Sequence, residues 1–333
     1  MRADSAPHMT AHLVEKGIFR ENPFSLVDVG CSGGLQRHWR HFANQFQAVG
    51  FDPLVCEVER LNAAEANRQV RYVAALVGCR PTEPDANGGV FDMSVWDRTA
   101  TVRAIDLMRM DYASTYFDQT QDGSTSGGLV ELDEFFREHP ADVDFLKTDT
   151  DGHDLDALKG ARNLLAGVGP IGLAVETQFH GGASPDANLF SNVDWFLRRL
   201  GYTLFAIHPR LYAKAALPKP FRWSQPADSH EGQACWADTL FFRDVCLPGY
   251  EEHFQVRLTP HKLIKLCCAY ELYGLEDCAA EVLLRFRNRV ERLVNVDRCL
   301  DLLTPPLPDG RKLPYRKYIK FFEKNVPAFY SGT

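Results

Sequence analysis

The sequence predicts a Rossmann-like α/β fold, with a mostly parallel central sheet, helices on its faces and a helical extension at the C-terminus. Short apolar runs alternate with amphipathic segments, as in Val143–Lys147, Leu155–Leu165 and Ile171–Val175. This alternation is typical of parallel strands joined by right-handed crossovers. Several apolar runs also stop at an acidic residue or a glycine-rich turn, which is where such sheets bind ligands.

Composition favours a cytoplasmic enzyme. The chain has 333 residues, 45% of them hydrophobic, which is enough to bury a large core. Its formal net charge of −7 argues against a general nucleic-acid binder. The sequence has no apolar run of about eighteen residues that would span a membrane, and its N-terminal stretch lacks the apolar centre of a secretory signal. Nine cysteines without a C-x-x-C pair argue against zinc and favour reduced thiols.

The pattern predicts three segments along the chain. We expect a lead-in over residues 1–24, a sheet domain over 25–250 and a helical extension over 251–333. In the extension, Pro260 starts a helix that Gly274 stops, and a second helix is expected over 275–294. The extension offers a surface for partners or for homo-oligomerisation.

The stretch from Ser25 to Leu35 predicts a ligand-binding turn. An apolar run precedes a loop with three glycines, which are Gly30, Gly33 and Gly34. Glycines allow the backbone to turn sharply and to approach a ligand where a Cβ would intrude. A helix expected over about 36–41 would point its free N–H groups at this loop. Glycine turns that only end a strand give the same pattern.

A second apolar run, Gln47–Phe51, stops at Asp52. A carboxylate at the end of the second strand, about 20 residues beyond the glycines, is where nucleotide-binding folds hold ribose hydroxyls. The loop reads G-x-x-G-G rather than G-x-G-x-x-G, and Asp28 precedes it. This spacing favours an adenosyl ligand without a pyrophosphate, and hence an S-adenosylmethionine-dependent methyltransferase. An NAD-type oxidoreductase and a catalytically silent binding module that recruits partners through its C-terminal helices are the alternatives.

Acidic residues follow two later apolar runs. Asp149 and Asp151 follow Val143–Lys147, and Glu176 follows Ile171–Val175. Because the carboxyl ends of parallel strands share one edge of a sheet, we expect these acids to face the glycine loop. The candidate general bases are Asp149, Asp151, His153, Glu176 and His180, the histidines titrating at about pH 6.5 when unperturbed. Alternatively, Asp149 caps the following helix, Glu176 pairs with Lys147, or the three acids hold Mg²⁺.

The motifs resemble, in their order, those of the FkbM family of S-adenosylmethionine-dependent methyltransferases. They read DVGCSGG from Asp28, FDP from Phe51, LDE from Leu132, FLKTDTDGHDLDALKGA from Phe145 and AVE from Ala174. The resemblance covers residues 25–204. Departures are Cys31 and Ser32 in place of Ala-Asn, and Asp in place of Glu at positions 52, 151 and 154.

The resemblance implies a class I methyltransferase fold with S-adenosylmethionine as cofactor and no required metal. It places the methionine end of the cofactor in the glycine loop, the ribose on Asp52, and the adenine near Leu76 and Val77. The loop residues counted with this site are Asp28, Gly30, Cys31, Ser32 and Gly34. It also implies methyl transfer to an oxygen, on a hydroxyl of a sugar, a glycan or another small acceptor.

Two long polar stretches are expected to face the acceptor. Residues 98–128 contain tyrosines and end in GSTSGG, which is consistent with a lid or a mobile surface loop. Residues 210–233 interleave aromatic and basic side chains, which suits an anionic or sugar-like acceptor but equally a solvated basic loop.

Overall fold

The computed structural model describes residues 7–79, 128–150, 152–179, 184–213, 217, 219–222 and 228–330. Predictions for Asp151, for His180, for the 98–128 stretch except its last residue and for much of the 210–233 stretch fall outside the described residues.

Nine strands occur in the described residues. They are β1 Phe24–Val29, β2 Phe46–Asp52, β3 Val70–Ala74, β4 Leu76–Val77, β5 Leu129–Val130, β6 Phe145–Thr148, β7 Gly172–Gln178, β8 Tyr202–Tyr212 and β9 Gln233–Arg243. Seven of them form one sheet in the order β3-β2-β1-β6-β7-β9-β8, and β4 pairs with β5 separately. The pairs β2 with β3, β1 with β6 and β6 with β7 are parallel, whereas β9 is antiparallel to both its neighbours. This sheet confirms the predicted Rossmann-like class I methyltransferase fold.

The strand order of the sheet reverses direction between β1 and β6, because β2 and β3 follow β1 on one side and β6 and β7 lie on the other. A crevice at the carboxyl ends of the strands is expected at such a switch point. The residues after β1, β2 and β6 therefore lie where a ligand would bind.

Twelve helices are formed by the described residues, together with two 3₁₀ helices at Arg37–Phe42 and Val326–Phe329. The α-helices are α1 His8–Glu15, α2 Val55–Ala64, α3 Leu132–Glu138, α4 Asp154–Lys159, α5 Arg162–Ala166, α6 Phe190–Arg198, α7 Tyr250–Phe254, α8 Pro260–Leu272, α9 Glu276–Arg285, α10 Arg287–Val290, α11 Val296–Leu303 and α12 Tyr315–Lys324. None of the helices described is long and apolar enough to cross a membrane.

Four sequence predictions differ from the structure in detail. The helix expected over 36–41 is a 3₁₀ helix, whose Trp39 and Phe42 stack on Phe24. The helix expected over 155–165 is divided into α4 and α5 near Gly160, where a Cβ would lie 2.3 Å from the Gly78 carbonyl oxygen. The helix expected over 275–294 is divided at Phe286 into α9 and α10. The apolar run VRYVAALV over 70–77 predicts a single strand, but β3 ends at Ala74 and Leu76–Val77 pairs with Leu129–Val130 instead.

The described chain divides into two compact units. The sheet unit contains Ser25–Leu35 and Gln47–Asp244, with the apolar core formed where helices cover the parallel strands. The helical unit contains the chain up to Phe24, Gln36–Phe46 and the chain from Val245 onward. The domain boundaries predicted from the sequence stay a prediction.

In the helical unit, buried charges hold the lead-in segment to α8. Glu271 accepts hydrogen bonds from the backbone N–H of Met9 and of Thr10 and from Thr10 Oγ1, each at 2.7 Å. The carboxylate thus accepts from free N–H groups at the start of α1. Pro7, the N-cap residue of α1, makes no side-chain capping hydrogen bond. Lys265 Nζ donates to Asn22 Oδ1 at 2.5 Å and to the Pro23 carbonyl at 2.9 Å.

Candidate active site

The glycine loop follows β1 and is held against the end of β2. The N–H groups of Gly30 and Cys31 donate to the Phe51 carbonyl, at 2.9 and 3.1 Å. Gly30 and Gly33 have φ of +75° and +79°, a region that L side chains rarely adopt. A Cβ at position 30 would lie 1.9 Å from the Asp149 carbonyl oxygen, whereas a Cβ at position 33 would have no described atom within 4 Å. The close approach at Gly30 is thus to the protein's own backbone, and open space lies beside Gly33.

Asp28 and Lys147 form a buried ion pair across β1 and β6. The two residues are partners in the parallel register, and Lys147 Nζ lies 3.0 Å from Asp28 Oδ1. The Asp28 side chain is 1% exposed and that of Lys147 is 10% exposed. Burial raises the pKa of Asp28 to about 6, against the opposing effect of the lysine. The carboxylates of Asp28 and Asp149 raise the pKa of Lys147 despite its burial.

Asp149 extends this pair towards solvent. Its Oδ2 lies 3.4 Å from Lys147 Nζ, and its side chain is 49% exposed. The sequence alternative in which Asp149 caps the following helix is wrong: Thr150 Oγ1 accepts from the His153 N–H at 3.1 Å, and α4 has no side-chain cap from its N-cap residue. The alternative partner of Lys147, Glu176, is also wrong, because the ion pairs of Lys147 are with Asp28 and Asp149.

Glu176 lies inside β7 rather than at its end, which corrects the sequence prediction. The strand continues to Gln178 because β9 pairs with it as far as Gln178 and Trp236. The last β6–β7 pair is Thr148 with Val175, so continuing this register by one residue places Asp149 beside Glu176. Glu176 is 9% exposed, so of these two neighbouring acids only Asp149 is open to solvent.

Asp52 ends β2 and is 3% exposed. Its Oδ1 accepts from the Leu54 N–H at 2.9 Å, and burial raises its pKa. The neighbouring Cys31 is buried, and its thiol pKa is raised by burial and by the charges of Asp28 and Asp52. Ser32 is exposed. The structure therefore gathers Asp28, Cys31 and Asp52 at the same edge of the sheet.

Two residues expected near an adenine lie on the short strand β4. Leu76 is 47% exposed and Val77 is 3% exposed within the core of the sheet unit. Only Leu76 of this pair therefore presents a large side-chain surface outward.

A polar cluster that the sequence analysis did not assign lies behind Asp149. Asn188 Nδ2 donates to Asp154 Oδ2 at 3.1 Å, and Asn188 Oδ1 accepts from the Leu155 N–H at 2.9 Å. Asn188 Nδ2 also lies 3.5 Å from the Glu176 carbonyl oxygen, so one side chain connects the start of α4 to β7. Burial, together with the charge of Asp149, raises the pKa of Asp154 to about 7. Asp154, the acid of the D-x-x-x-L-K-G-A motif, was a sequence signal for this cluster. No sequence feature indicated that Asn188 belongs to it.

Lys147 could have been predicted to form an ion pair from its position directly after the apolar residues Phe145 and Leu146 of a buried strand, because a charged residue there requires a buried partner. In the described residues no group of three or more His, Cys, Asp or Glu side chains has the arrangement of a metal site.

The mostly parallel sheet has a glycine loop after β1, an acid at the end of β2 and ion-paired acids around β6, as expected for a Rossmann-like fold. The family model described as the Methyltransferase FkbM domain matches residues 94–204. The match confirms the resemblance to FkbM S-adenosylmethionine-dependent methyltransferases and supports methyltransferase activity. It covers β5 to α6, and so includes Asp149 and Glu176 but not the glycine loop or Asp52.

Solved structures that this chain matches include methyltransferases. A TehB-like SAM-dependent methyltransferase from Corynebacterium glutamicum is 13% identical, with 71% of this chain and 88% of that chain covered and a TM-score of 0.29. A SAM-dependent methyltransferase from Aquifex aeolicus is 11% identical over 72% and 94%, with a TM-score of 0.29. The Burkholderia thailandensis 1,6-didemethyltoxoflavin-N1-methyltransferase, with bound 1,6-didemethyltoxoflavin and S-adenosylhomocysteine, is 11% identical over 72% and 78%, with a TM-score of 0.28. Among curated proteins, no match was found.

Proposed function

We propose that this methyltransferase binds S-adenosylmethionine at the carboxyl ends of β1 and β2 and methylates a hydroxyl oxygen of a sugar, a glycan or another small acceptor. The observation that carries the proposal is the half-exposed Asp149, which directly follows β6 and is joined to buried Asp28 through Lys147. A solvent-accessible carboxylate can accept a proton from an acceptor, and the contact with Lys147 holds this one in place.

The residues present fit this cofactor. Asp52 supplies a carboxylate at the end of β2, where two ribose hydroxyls can donate to it. The space beside Gly33 leaves room for a ligand. The Gly33 N–H already donates to Glu57 Oε1 at 2.8 Å, so the carboxylate of S-adenosylmethionine would take this amide only in place of Glu57. Leu76 offers an exposed apolar side chain for the adenine.

S-Adenosylmethionine supplies a methyl group on a positively charged sulfur, which a nucleophile takes by in-line displacement. The protein's contribution is largely to position the two reactants. A hydroxyl acceptor must also lose its proton, and a positioned base contributes about 10² to 10⁴ in rate. Asp149 is our first choice for that base, with Glu176 next to it. Asp151 and His180 remain candidates from the sequence.

The proposal includes a cytoplasmic location. All nine cysteines are free thiols, and six of them, including Cys267 and Cys31, are buried. This usage is typical of a reducing compartment.

Binding of S-adenosylmethionine and of NAD⁺ to the purified chain, measured by calorimetry, tests the cofactor. We expect heat only with S-adenosylmethionine. Asp52→Ala removes a charged acceptor of hydrogen bonds, each contributing about 1.5–3 kcal/mol, so the affinity should fall roughly 10- to 150-fold. Glu138→Ala, which removes an exposed carboxylate from the end of α3, is the matched control and should bind normally. Unchanged affinity in Asp52→Ala would remove Asp52 from the site.

A methyl-transfer screen against nucleotide-sugars, glycans and small hydroxylated metabolites tests the acceptor. We expect products in which an oxygen carries the new methyl group. Transfer to amine analogues of the same compounds, with none to the hydroxyl compounds, would overturn the oxygen assignment and leave the cofactor assignment intact.

A further inference from the structure

The last helix of the described chain, α12, has a polar face and an apolar face but no buried side chain. Arg316, Lys317, Lys320 and Lys324 recur at spacings of three and four, which places them on one face of the helix. Tyr315, Tyr318, Ile319 and Phe322 recur at spacings of three and four on the other. A helix with two such faces normally buries its apolar face in the core. This helix does not.

Positive charge is concentrated in this segment. Residues 311–324 carry six cations against the single carboxylate of Glu323, in a chain whose formal net charge is −7. The ion pairs of this segment use its two arginines, since Arg311 pairs with Asp309 and Arg316 with Asp297. Lys317, Lys320 and Lys324 are exposed on the polar face.

Exposed apolar side chains continue past the end of α12. Phe322 packs its ring on Phe329 at 4.9 Å between centroids, yet it is 41% exposed. Val326 is 36% exposed and Tyr330 is 75% exposed. Of the large hydrophobic residues exposed in the described part of the helical unit, three therefore lie within the nine residues 322–330.

A groove of about 1050 Å³ continues the apolar face of α12 into the helical unit. Ile319, Leu300 and Leu303 line it together with Leu284, which is 44% exposed. Charged side chains also line the groove: the carboxylates of Glu271, Glu276, Asp277 and Glu281, and the cations of Arg285 and Lys312. Because the carboxylates outnumber the cations, an anionic headgroup would bind the lysines of the outer face rather than the groove. The groove itself suits an uncharged chain.

We propose that α12 and the residues up to Tyr330 dock the protein on an anionic phospholipid surface, with the lysines at the level of the phosphates and Phe322 and Tyr330 in the apolar boundary. Helices with Lys and Arg on one face and aromatic residues on the other bind such interfaces. A nucleic acid would satisfy the lysines but leave the aromatic side chains in water. A second copy joined face to face would bring two segments of net positive charge together.

The test is sedimentation of the full chain with vesicles of phosphatidylcholine alone and vesicles that also contain phosphatidylserine. We expect binding only to the second kind, weakened by high salt because salt screens the charges. Each basic residue near an anionic surface contributes about 5-fold to binding, so the double variant Lys317→Gln/Lys320→Gln should bind roughly 30-fold more weakly. Phe322→Ser should weaken binding several-fold without altering its salt dependence.

The matched control is Arg292→Gln/Arg298→Gln, which removes two exposed cations from the same unit outside α12. It should bind vesicles as the wild type does, and circular dichroism should show that every variant is folded. Equal binding to neutral and anionic vesicles, or an equal loss in the control, would overturn the proposal. So would tighter binding to duplex DNA than to vesicles, or a dimer that the lysine variant dissociates.

Discussion

The protein buries carboxylates in two regions, and the two are built differently. In the helical unit, Glu271 is 2% exposed, and its oxygens accept three hydrogen bonds from the start of α1. Its charge is neutralised by the N–H groups of a helix end, which suits an anion. The residue joins two segments of the chain and has no access to solvent.

In the sheet unit, Asp28 is equally buried, but its partner Lys147 also reaches Asp149, which is half exposed. The ion pairs thereby connect a carboxylate in the core to a carboxylate that a ligand can contact. A buried charge by itself therefore does not mark a functional site. The sheet unit differs in that the buried pair ends in an accessible carboxylate at the carboxyl ends of parallel strands.

The largest expected effect is at the accessible carboxylate. Asp149→Asn keeps the shape of the side chain but removes the proton acceptor, so we expect turnover to fall by about 10² to 10⁴ with cofactor affinity retained. Asp156→Asn, which changes an acid whose side chain is 42% exposed, should keep normal turnover. Initial rates at saturating acceptor and calorimetry with S-adenosylmethionine measure the two quantities.

Glu176→Gln separates the two neighbouring acids. Full turnover there, with a loss in Asp149→Asn, assigns the base to Asp149, and the reverse assigns it to Glu176. If both variants are fully active, either His180 or Asp151 is the base, or the acceptor needs no base.

We expect a chelator to leave the wild type active. If a chelator abolished the activity and added Mg²⁺ restored it, these acids would hold a cation.

A smaller effect is expected at Gly30, where the sequence analysis expected a close approach to a ligand. An Ala there meets the Asp149 carbonyl oxygen at 1.9 Å and must hold φ near +75°. The left-handed conformation costs about 1–2 kcal/mol and the crowding about 1–3 kcal/mol, so the free energy of unfolding should fall by about 2–5 kcal/mol.

Gly33→Ala is the matched control, because its φ of +79° is equally strained but its Cβ meets open space. It should lose only about 1–2 kcal/mol. Urea unfolding measures both variants. An equal loss of stability in the two would mean that the approach to Asp149 does not constrain the loop.

Removing the buried charge of the helical unit should lower the stability of the protein without changing its cofactor affinity. Glu271→Gln cannot accept all three hydrogen bonds with its single amide oxygen, and a bond to a charged group contributes about 1.5–3 kcal/mol, so the free energy of unfolding should fall by about that amount. Cofactor affinity should not change. Glu281→Gln, an exposed residue of α9, is the control. If Glu271→Gln weakened cofactor binding without lowering stability, the contrast between the two regions would be lost.

The sequence was sufficient to predict the mostly parallel sheet with its flanking helices and the positions of Asp52 and Asp149 at strand ends. Apolar runs that stop at an acid located Asp52 and Asp149 correctly, because burial of a strand demands such a run. Glu176 was wrongly placed at a strand end, because the polar residues after it are kept in β7 by pairing with β9, which is far along the chain. The Asp28–Lys147 pair and the Asn188 cluster also depend on which strands are neighbours. Local sequence does not contain that information.

The smallest expected effect is on the pH dependence of stability, and it comes from the buried carboxylates of the sheet unit. Burial raises the pKa of Asp154 from 3.8 to about 7. Between these values the folded protein holds a proton that the unfolded chain has released. The contribution of Asp154 to stability is therefore complete below about pH 4 and is lost as the pH rises through 7. Asp28, with a pKa of about 6, acts in the same direction.

Asp154→Asn is neutral at every pH and keeps an oxygen for Asn188. We therefore expect its melting temperature to fall less than that of the wild type between pH 5 and pH 8, by about 2–4 °C for each kcal/mol of the proton-linked difference. Thermal melts at the two pH values measure this. Asp142→Asn, at an exposed position, should follow the wild type. Parallel melting curves for Asp154→Asn and the wild type would show that Asp154 is already ionised in the folded protein at pH 5.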